Sequence, residues 1–370
     1  MLPDPRPYFA DITDPRRNTQ NKLHNLHDIF MIVLCAVLSG IEDWVGMEQF
    51  AEERLDWLRE FIGLDNGIPS HDTISNVMGR IDYKQFSAAF VNWVHHALPS
   101  LANQQVAIDG KTLRGSREQG RSTVHLVSAF ATEARLVLAQ QAVAEKSNEI
   151  TAIPDLLALL DIRGAVVSID AMGCQKEIAA RVIEQKADYV LALKGNHPTL
   201  AEEVKLWMDS EYAAGRLTVH ETIDSGHGRI EERRYGLSSQ IDWLAAKPEW
   251  SGLTAVGMVE SVRHIKGEIS IDRRYYLSSI SDLCQFSSVV RNHWAIENQQ
   301  HWVLDVQFGE DANRSRKDHS AKNLAVVRRM ALNVLRVNDP ESKRSLRQRR
   351  RKAAFNDDYR LKLILGEQKT

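Results

Sequence analysis

A short pattern that occurs twice constrains this chain most. In Val106-Ala107-Ile108-Asp109-Gly110-Lys111-Thr112, three apolar residues run into an aspartate and a glycine follows. In Ala165-Val166-Val167-Ser168-Ile169-Asp170-Ala171-Met172-Gly173, a second apolar run ends in Ile-Asp ahead of small residues. An apolar run closed by a glycine turn reads as a buried strand that stops at its acidic residue. An ionised carboxylate at the end of a core strand is costly unless something positive compensates it. A metal ion is one such partner. Two strands that each deliver an aspartate at the C-terminal end can place both at one sheet edge, where α/β proteins usually put their chemistry. A third acidic residue on a helix, Glu297, would complete a site for hard divalent cations. The competing expectation is that each aspartate merely caps the turn or helix after it.

The 370 residues, 43% hydrophobic and 26% charged, have globular composition and provide for two or three structural units. A net charge of −2 advertises no global basic field. The basic residues are unevenly spread: 342–352 carry seven Lys or Arg and no acidic side chain, a block suited to phosphate contact or to a solvated tail. Cys35, Cys174 and Cys284 lie far apart, which argues against a disulfide framework and a zinc site. The apolar run 29–38 is too short for a bilayer, which needs roughly 20 residues, and reads as a buried helix. The first residues lack a signal-peptide pattern. The expectation is a cytoplasmic protein with no membrane partner.

Helical patterning covers 26–39, stopped by Gly40, then 44–61, then a stretch after the loop Gly67–Asp72 where Ser70 or Asp72 is the candidate cap, then 83–98. Residues 1–100 are therefore expected to be an all-helical unit, either a DNA-binding module or a helical lid on the next domain. From 104 the periodicity changes to strands at 104–109, 123–131 and 135–143, a helix to 160, a strand at 165–170, a helix at 175–185 and a strand at 189–193. This β-β-β-α-β-α-β order is what a ribonuclease-H-like mixed sheet requires, with the first strand beside the fourth and Asp109 beside Asp170. The region 201–285 reads as a β-rich insertion, with strands at 230–237, 253–264 and 272–279, the first opening at Gly226-His227-Gly228-Arg229. Its alternation places Arg229, Arg233 and Arg274 on exposed faces. Helical patterning resumes near 283. There His293, Glu297 and His301 fall at i, i+4 and i+8, about 40° apart on one α-helical face. A last helix covers about 320–335, before a basic tail at 341–370.

Several stretches together resemble a known family. They are Ala107-Ile108-Asp109-Gly110-Lys111-Thr112-Leu113-Arg114, Glu145-Lys146-Ser147-Asn148-Glu149-Ile150, Asp170-Ala171-Met172-Gly173-Cys174-Gln175, Lys194-Gly195-Asn196 and Arg291-Asn292-His293-Trp294-Ala295-Ile296-Glu297-Asn298. They are similar to the H-repeat-associated insertion-sequence DDE transposases of bacteria, and the likeness extends over about 8–360. The resemblance implies a ribonuclease-H-like catalytic domain divided into 101–200 and 286–340 around the insertion. It implies that Asp109, Asp170 and Glu297 are the catalytic, metal-binding acids for two Mg²⁺ ions, with Mn²⁺ able to substitute. It implies double-stranded DNA as partner, nicking of element ends, strand transfer into a target, and a homodimer in the synaptic complex. Lys111, Arg114, Lys194, Asn196, Arg291, His293 and His301 are the candidate DNA contacts. Two departures from the pattern stand out. The wider superfamily's Tyr-x2-Arg-x3-Glu-x6-Lys signature is represented here by Val290, His293, Glu297 and Leu304, so only the Glu survives; and His197 stands where relatives are expected to carry Gln. A degenerate DNA-binding relic and a nuclease without strand transfer are the alternatives.

Overall fold

The computed structural model describes residues 1–19, 22–118, 122–144, 147–226, 229–265 and 267–366. Glu145, Lys146, His227 and Gly228 lie outside the described residues, as does the Arg229 side chain. The helices are α1 (Arg6–Phe9), α2 (Leu26–Leu38), α3 (Trp44–Glu53), α4 (Leu55–Leu58), α5 (His71–Arg80), α6 (Tyr83–Ala97), α7 (Glu149–Ala158), α8 (Lys176–Glu184) and α9 (Pro198–Ala213), followed by α10 (Leu283–His293), α11 (Trp302–Phe308), α12 (Ser320–Val337), α13 (Leu346–Phe355) and α14 (Asp357–Leu365). The strands are β1 (Gln105–Thr112), β2 (His125–Ala131), β3 (Leu136–Ala142), β4 (Val166–Ile169), β5 (Asp188–Leu193), β6 (Val219–Gly226), β7 (Arg229–Ser238), β8 (Ala255–Ile265) and β9 (Glu268–Ser278).

All nine described strands form one sheet, in the order β3-β2-β1-β4-β5-β9-β8-β7-β6. β1 runs parallel to β4, and β4 parallel to β5, whereas β2 and β3 are antiparallel to their neighbours. This is the ribonuclease-H-like mixed sheet expected from the sequence. The strands of 219–278 continue it: β9 pairs antiparallel with β5, and β8, β7 and β6 follow outward. β6 was not expected, because His220, Glu221, Asp224 and Ser225 give it the polar composition of an outermost strand. The arginines of this region differ from expectation too. Arg233 is largely buried and paired with Asp224 and Glu231, and Arg274 lies over the Trp294 ring.

Helix starts follow local chemistry. Asn25, Asp43, Ser70, Asp82 and Asp282 each accept a backbone N–H at a helix N-terminus, which satisfies a donor that the helix leaves unpaired. The expected helix at 44–61 is broken at Arg54 into α3 and α4. α2 is buried all round, from Ile29 to Leu38, by α3, α5, α12, α13 and α14. Among the described residues no helix is long and apolar enough to cross a membrane. The N-terminal helices and the sheet share one hydrophobic core. α12 crosses between them: Asn333 pairs with the Val137 backbone on β3, and Asn323 donates to the Met78 and Ile81 carbonyls that end α5.

The basic block is not a tail. Ser345 and Gln348 form a capping box that starts α13, and Ala353, Leu363 and Ile364 are buried. Arg350 is buried as well, donating to the Val37 carbonyl and pairing with Glu42.

One contact fixes where the helix before Glu297 sits. α10 packs against the sheet with the Phe286 ring directly over Gly257 of β8, so a Cβ there would overlap the ring. Gly257→Ala is therefore expected to cost about 1–3 kcal/mol by overpacking. Urea unfolding checks this, and an unchanged midpoint would show that α10 has slack.

Candidate active site

β1 and β4 run side by side with Ile108 opposite Ile169, so Asp109 and Asp170 come next at neighbouring positions of one sheet edge. The two behave differently. β4 ends as expected, and Asp170 caps the turn after it, accepting from the Met172 and Gly173 N–H groups at 3.1 and 3.4 Å. β1 does not stop at Asp109. It continues through Gly110 to Thr112, because β2 pairs with it as far as Thr112 opposite His125. Gly110 is thus a strand residue rather than a turn.

A cavity of about 220 Å³ opens at this edge. It is lined by Asp109, Asp170 and Glu297, with Lys194, His293 and Arg274 around them and Ile169, Val290, Tyr276 and Trp294 as apolar wall. Burial pushes the Asp170 carboxyl above its usual range, and the negative charges of Asp109 and Glu149 push it further. Like charges are therefore held together here against their repulsion.

Glu297 comes from a π-helical turn, Ile296–His301, set between α10 and α11. That turn replaces the regular α-helix on which the 40° spacing was drawn. Such turns insert a residue into the helical ladder and cluster at functional sites. Glu297 is exposed toward the cavity that His293 also lines. His293 holds the Ser168 hydroxyl through Nδ1 at 3.0 Å, and burial lowers its pKa although Asp109 opposes this. His301 is buried, with Nδ1 3.4 Å from Asp109 Oδ2, and its Nε2 has no partner among the described residues.

The candidate DNA contacts divide into two groups. Lys194, Asn196, Arg114 and Arg291 are exposed. Lys194 lines the cavity, Asn196 donates to the Cys174 carbonyl, Arg291 pairs with Asp224 and Arg114 borders Asp311. Lys111 is different: it is 8% exposed and paired with Asp305 and Asp311, so it ties β1 to the chain after Glu297 instead of facing outward. His301 is buried as well, and His293 is half-buried against Ser168 at the cavity wall. The unexpected His197 meets the Cys174 carbonyl through Nε2 at 2.8 Å and sits edge-on to Trp250, linking the loop after β5 to the loop after Asp170. Sequence patterns alone did not single out His125, Ser168 or Arg274 for this region.

The donor set fits a hard divalent cation, since Asp109, Asp170 and Glu297 offer only carboxylate oxygens and no arginine or lysine is paired to Asp109 or Asp170 among the described residues. No three His, Cys, Asp or Glu side chains of the described residues are already grouped closely enough to hold an ion.

Comparison with known proteins identifies the family. Residues 101–334 match the family model described as "Transposase DDE domain", and residues 7–94 match the one described as "DDE_Tnp_1-associated". The "Putative transposase YncI" of Escherichia coli O157:H7 is 39% identical over 363 residues, covering 95% of this chain and 92% of its own. The "H repeat-associated putative transposase YhhI" of Escherichia coli K12 is 39% identical over 361 residues, covering 95% of each. The "Uncharacterized protein in dhlA 3'region" of Xanthobacter autotrophicus is 48% identical over 281 residues, which are 75% of this chain and 95% of that one. The chain belongs to the DDE transposase family, among relatives that include H-repeat-associated members.

Proposed function

We propose that this transposase cuts DNA phosphodiester bonds at the ends of its element and joins the freed 3′ ends to target DNA, at the cavity formed by Asp109, Asp170 and Glu297. The observation that carries the reading is the parallel β1–β4 register, which sets two aspartates side by side with Glu297 on the same cavity. The three carboxylates would hold two Mg²⁺ ions, or Mn²⁺ in their place. When bound, such ions activate the attacking hydroxyl and stabilise the leaving 3′ oxygen of an in-line displacement. Ser168 and His293 hold the β4 strand against α10, so that Asp170 and Glu297 keep their spacing. Lys194 at the cavity rim meets the DNA backbone, with Arg114, Asn196 and Arg291 along the approach. Two element ends are brought together in a homodimer. Lys111 plays a supporting role inside the protein and has no part in DNA contact.

The test is incubation of end-labelled duplexes, taken from the DNA flanking the gene, with the full chain and a plasmid in Mg²⁺ or Mn²⁺. Metal-dependent nicks at the element boundary and joined products are expected. Nicks without joined products would reduce the protein to a nuclease. DNA binding without nicks, in either metal, would reduce it to a binding relic.

The rim assignment has its own check. Lys194→Ala is expected to weaken DNA binding by a similar factor across sequences and to flatten the dependence of log affinity on log salt by about one unit. Fluorescence anisotropy over a salt series measures this, and an unchanged slope would remove Lys194 from the DNA path.

A further inference from the structure

The stretch Ser147-Asn148-Glu149 carries part of the family likeness, yet the site built on Asp109, Asp170 and Glu297 leaves it without a task. Glu149 is the first residue of α7, and its side chain is only 14% exposed. It lies against β1 from the face opposite Asp109. A Cβ on Gly110 would overlap the Glu149 carboxylate and come within 2.7 Å of His125 Nε2. Glycine in the interior of a strand weakens it and marks a close approach by another group. Here that group is a carboxylate placed one residue from Asp109.

The carboxylate is also pinned. His125 Nε2 meets Glu149 Oε1 at 2.5 Å, and His125 Nδ1 meets the Thr112 hydroxyl at 2.8 Å. Thr112 and His125 are direct partners across the β1–β2 ladder. A rigid bracket of strand residues therefore aims Glu149. The helix that Glu149 opens also packs against the turn that Asp170 caps. A plain helix-start acid needs neither the glycine nor the bracket. On the other face of β1, the buried His301 approaches Asp109 with Nδ1, and its Nε2 has no partner among the described residues. Asp109 is thus flanked on both faces by polar groups beyond the three family acids.

We propose that Glu149 is a positioning carboxylate of the cation site, acting from the opposite face of β1 and aimed by the His125–Thr112 bracket. The inference rests on the proposed role of Asp109, Asp170 and Glu297. Outer groups of this kind are worth about 10–100-fold in metal affinity.

The experiment measures Mn²⁺ binding to the full chain without DNA, by electron paramagnetic resonance of free Mn²⁺, for wild type, Glu149→Gln, Gly110→Ala, the double variant and Asp170→Asn. Thermal melting in EDTA accompanies each. Glu149→Gln is expected to weaken Mn²⁺ binding about 10–100-fold while remaining folded at the assay temperature. Gly110→Ala, which must expel the same carboxylate, is expected to weaken it similarly, with little further loss in the double variant. Should Glu149→Gln not fold, Gly110→Ala carries the test alone. Unchanged Mn²⁺ affinity in the Glu149 variant beside a weakened Asp170→Asn overturns this inference and spares the main site. Unchanged affinity in both overturns the carboxylate site itself.

Discussion

Asp170→Asn is expected to abolish metal-dependent nicking, by on the order of a thousandfold or more, while the protein still folds and still binds DNA. A cation held by carboxylates contributes several kcal/mol to a phosphoryl displacement, and each 1.4 kcal/mol or so is tenfold in rate, so losing one ligand accounts for that scale. Folding should survive, because asparagine keeps the oxygen that accepts from the Met172 and Gly173 N–H groups. The same substitution should raise the melting temperature in EDTA. The sign comes from linkage. The folded protein holds the Asp170 carboxyl above its usual value, through burial and the charges of Asp109 and Glu149. Such a group favours folding when protonated and opposes it once pH rises past its unfolded value, so removing the charge at neutral pH removes a penalty. A site that gives up stability to hold like charges together is the pattern expected of function. Parallel nicking and melting assays check both parts. Retained nicking would remove Asp170 from the site, and a lowered melting temperature in EDTA would show that the cap outweighs the repulsion.

The second large effect lies behind β1. Glu310 and Arg329 form an ion pair at 2.7 Å in which both side chains are fully buried. Burial raises the Glu310 carboxyl, but Arg329, Arg328 and Lys111 outweigh it and hold the group below its usual value. Breaking a buried pair strands an uncompensated charge, so Glu310→Gln or Arg329→Met is expected to cost about 3–5 kcal/mol. Replacing both by apolar residues of similar volume is expected to restore wild-type stability or exceed it. The pH dependence separates the cases. The wild type should lose the contribution of Glu310 as pH falls from the ordinary carboxylate range through its depressed folded value, and the double variant should lack that component. Urea denaturation at pH 7 and pH 4 measures it. A single variant within about 0.5 kcal/mol of wild type would mean that the pair is open to water.

Much of this fold is legible in the chain itself. β1 and β4 are readable because an apolar run ending in aspartate is a local signal, and their adjacency comes from element order. Other features depend on partners far away in sequence. Lys111 looks like a phosphate contact in its own segment and becomes a buried strut only when Asp305 and Asp311 arrive. Residues 342–352 read as a block for phosphate contact or a solvated tail, because seven charges mask the fact that Arg350 is aimed at Val37 and Glu42. The turn carrying Glu297 escapes because hydrophobic and polar spacing presupposes 3.6 residues per turn, which a π-helical segment does not keep. Glu149 is visible in a shared motif, but what it touches is decided by Gly110, and a glycine after an aspartate suggests a turn, not an accommodating strand.

The surroundings of α2 have a consequence for how the protein is made. Its apolar surface is covered by α12, α13 and α14, which are translated some three hundred residues later. At about 5–20 residues per second, the ribosome takes roughly 15–60 s to supply that cover. During that interval α3 and α5 can cover part of α2, and the remainder of its apolar surface stays bare. Ribosomes that stall before α12 therefore release chains whose stickiest helix is only partly covered, and such fragments should be prey for chaperones and proteases long before any of them meets DNA.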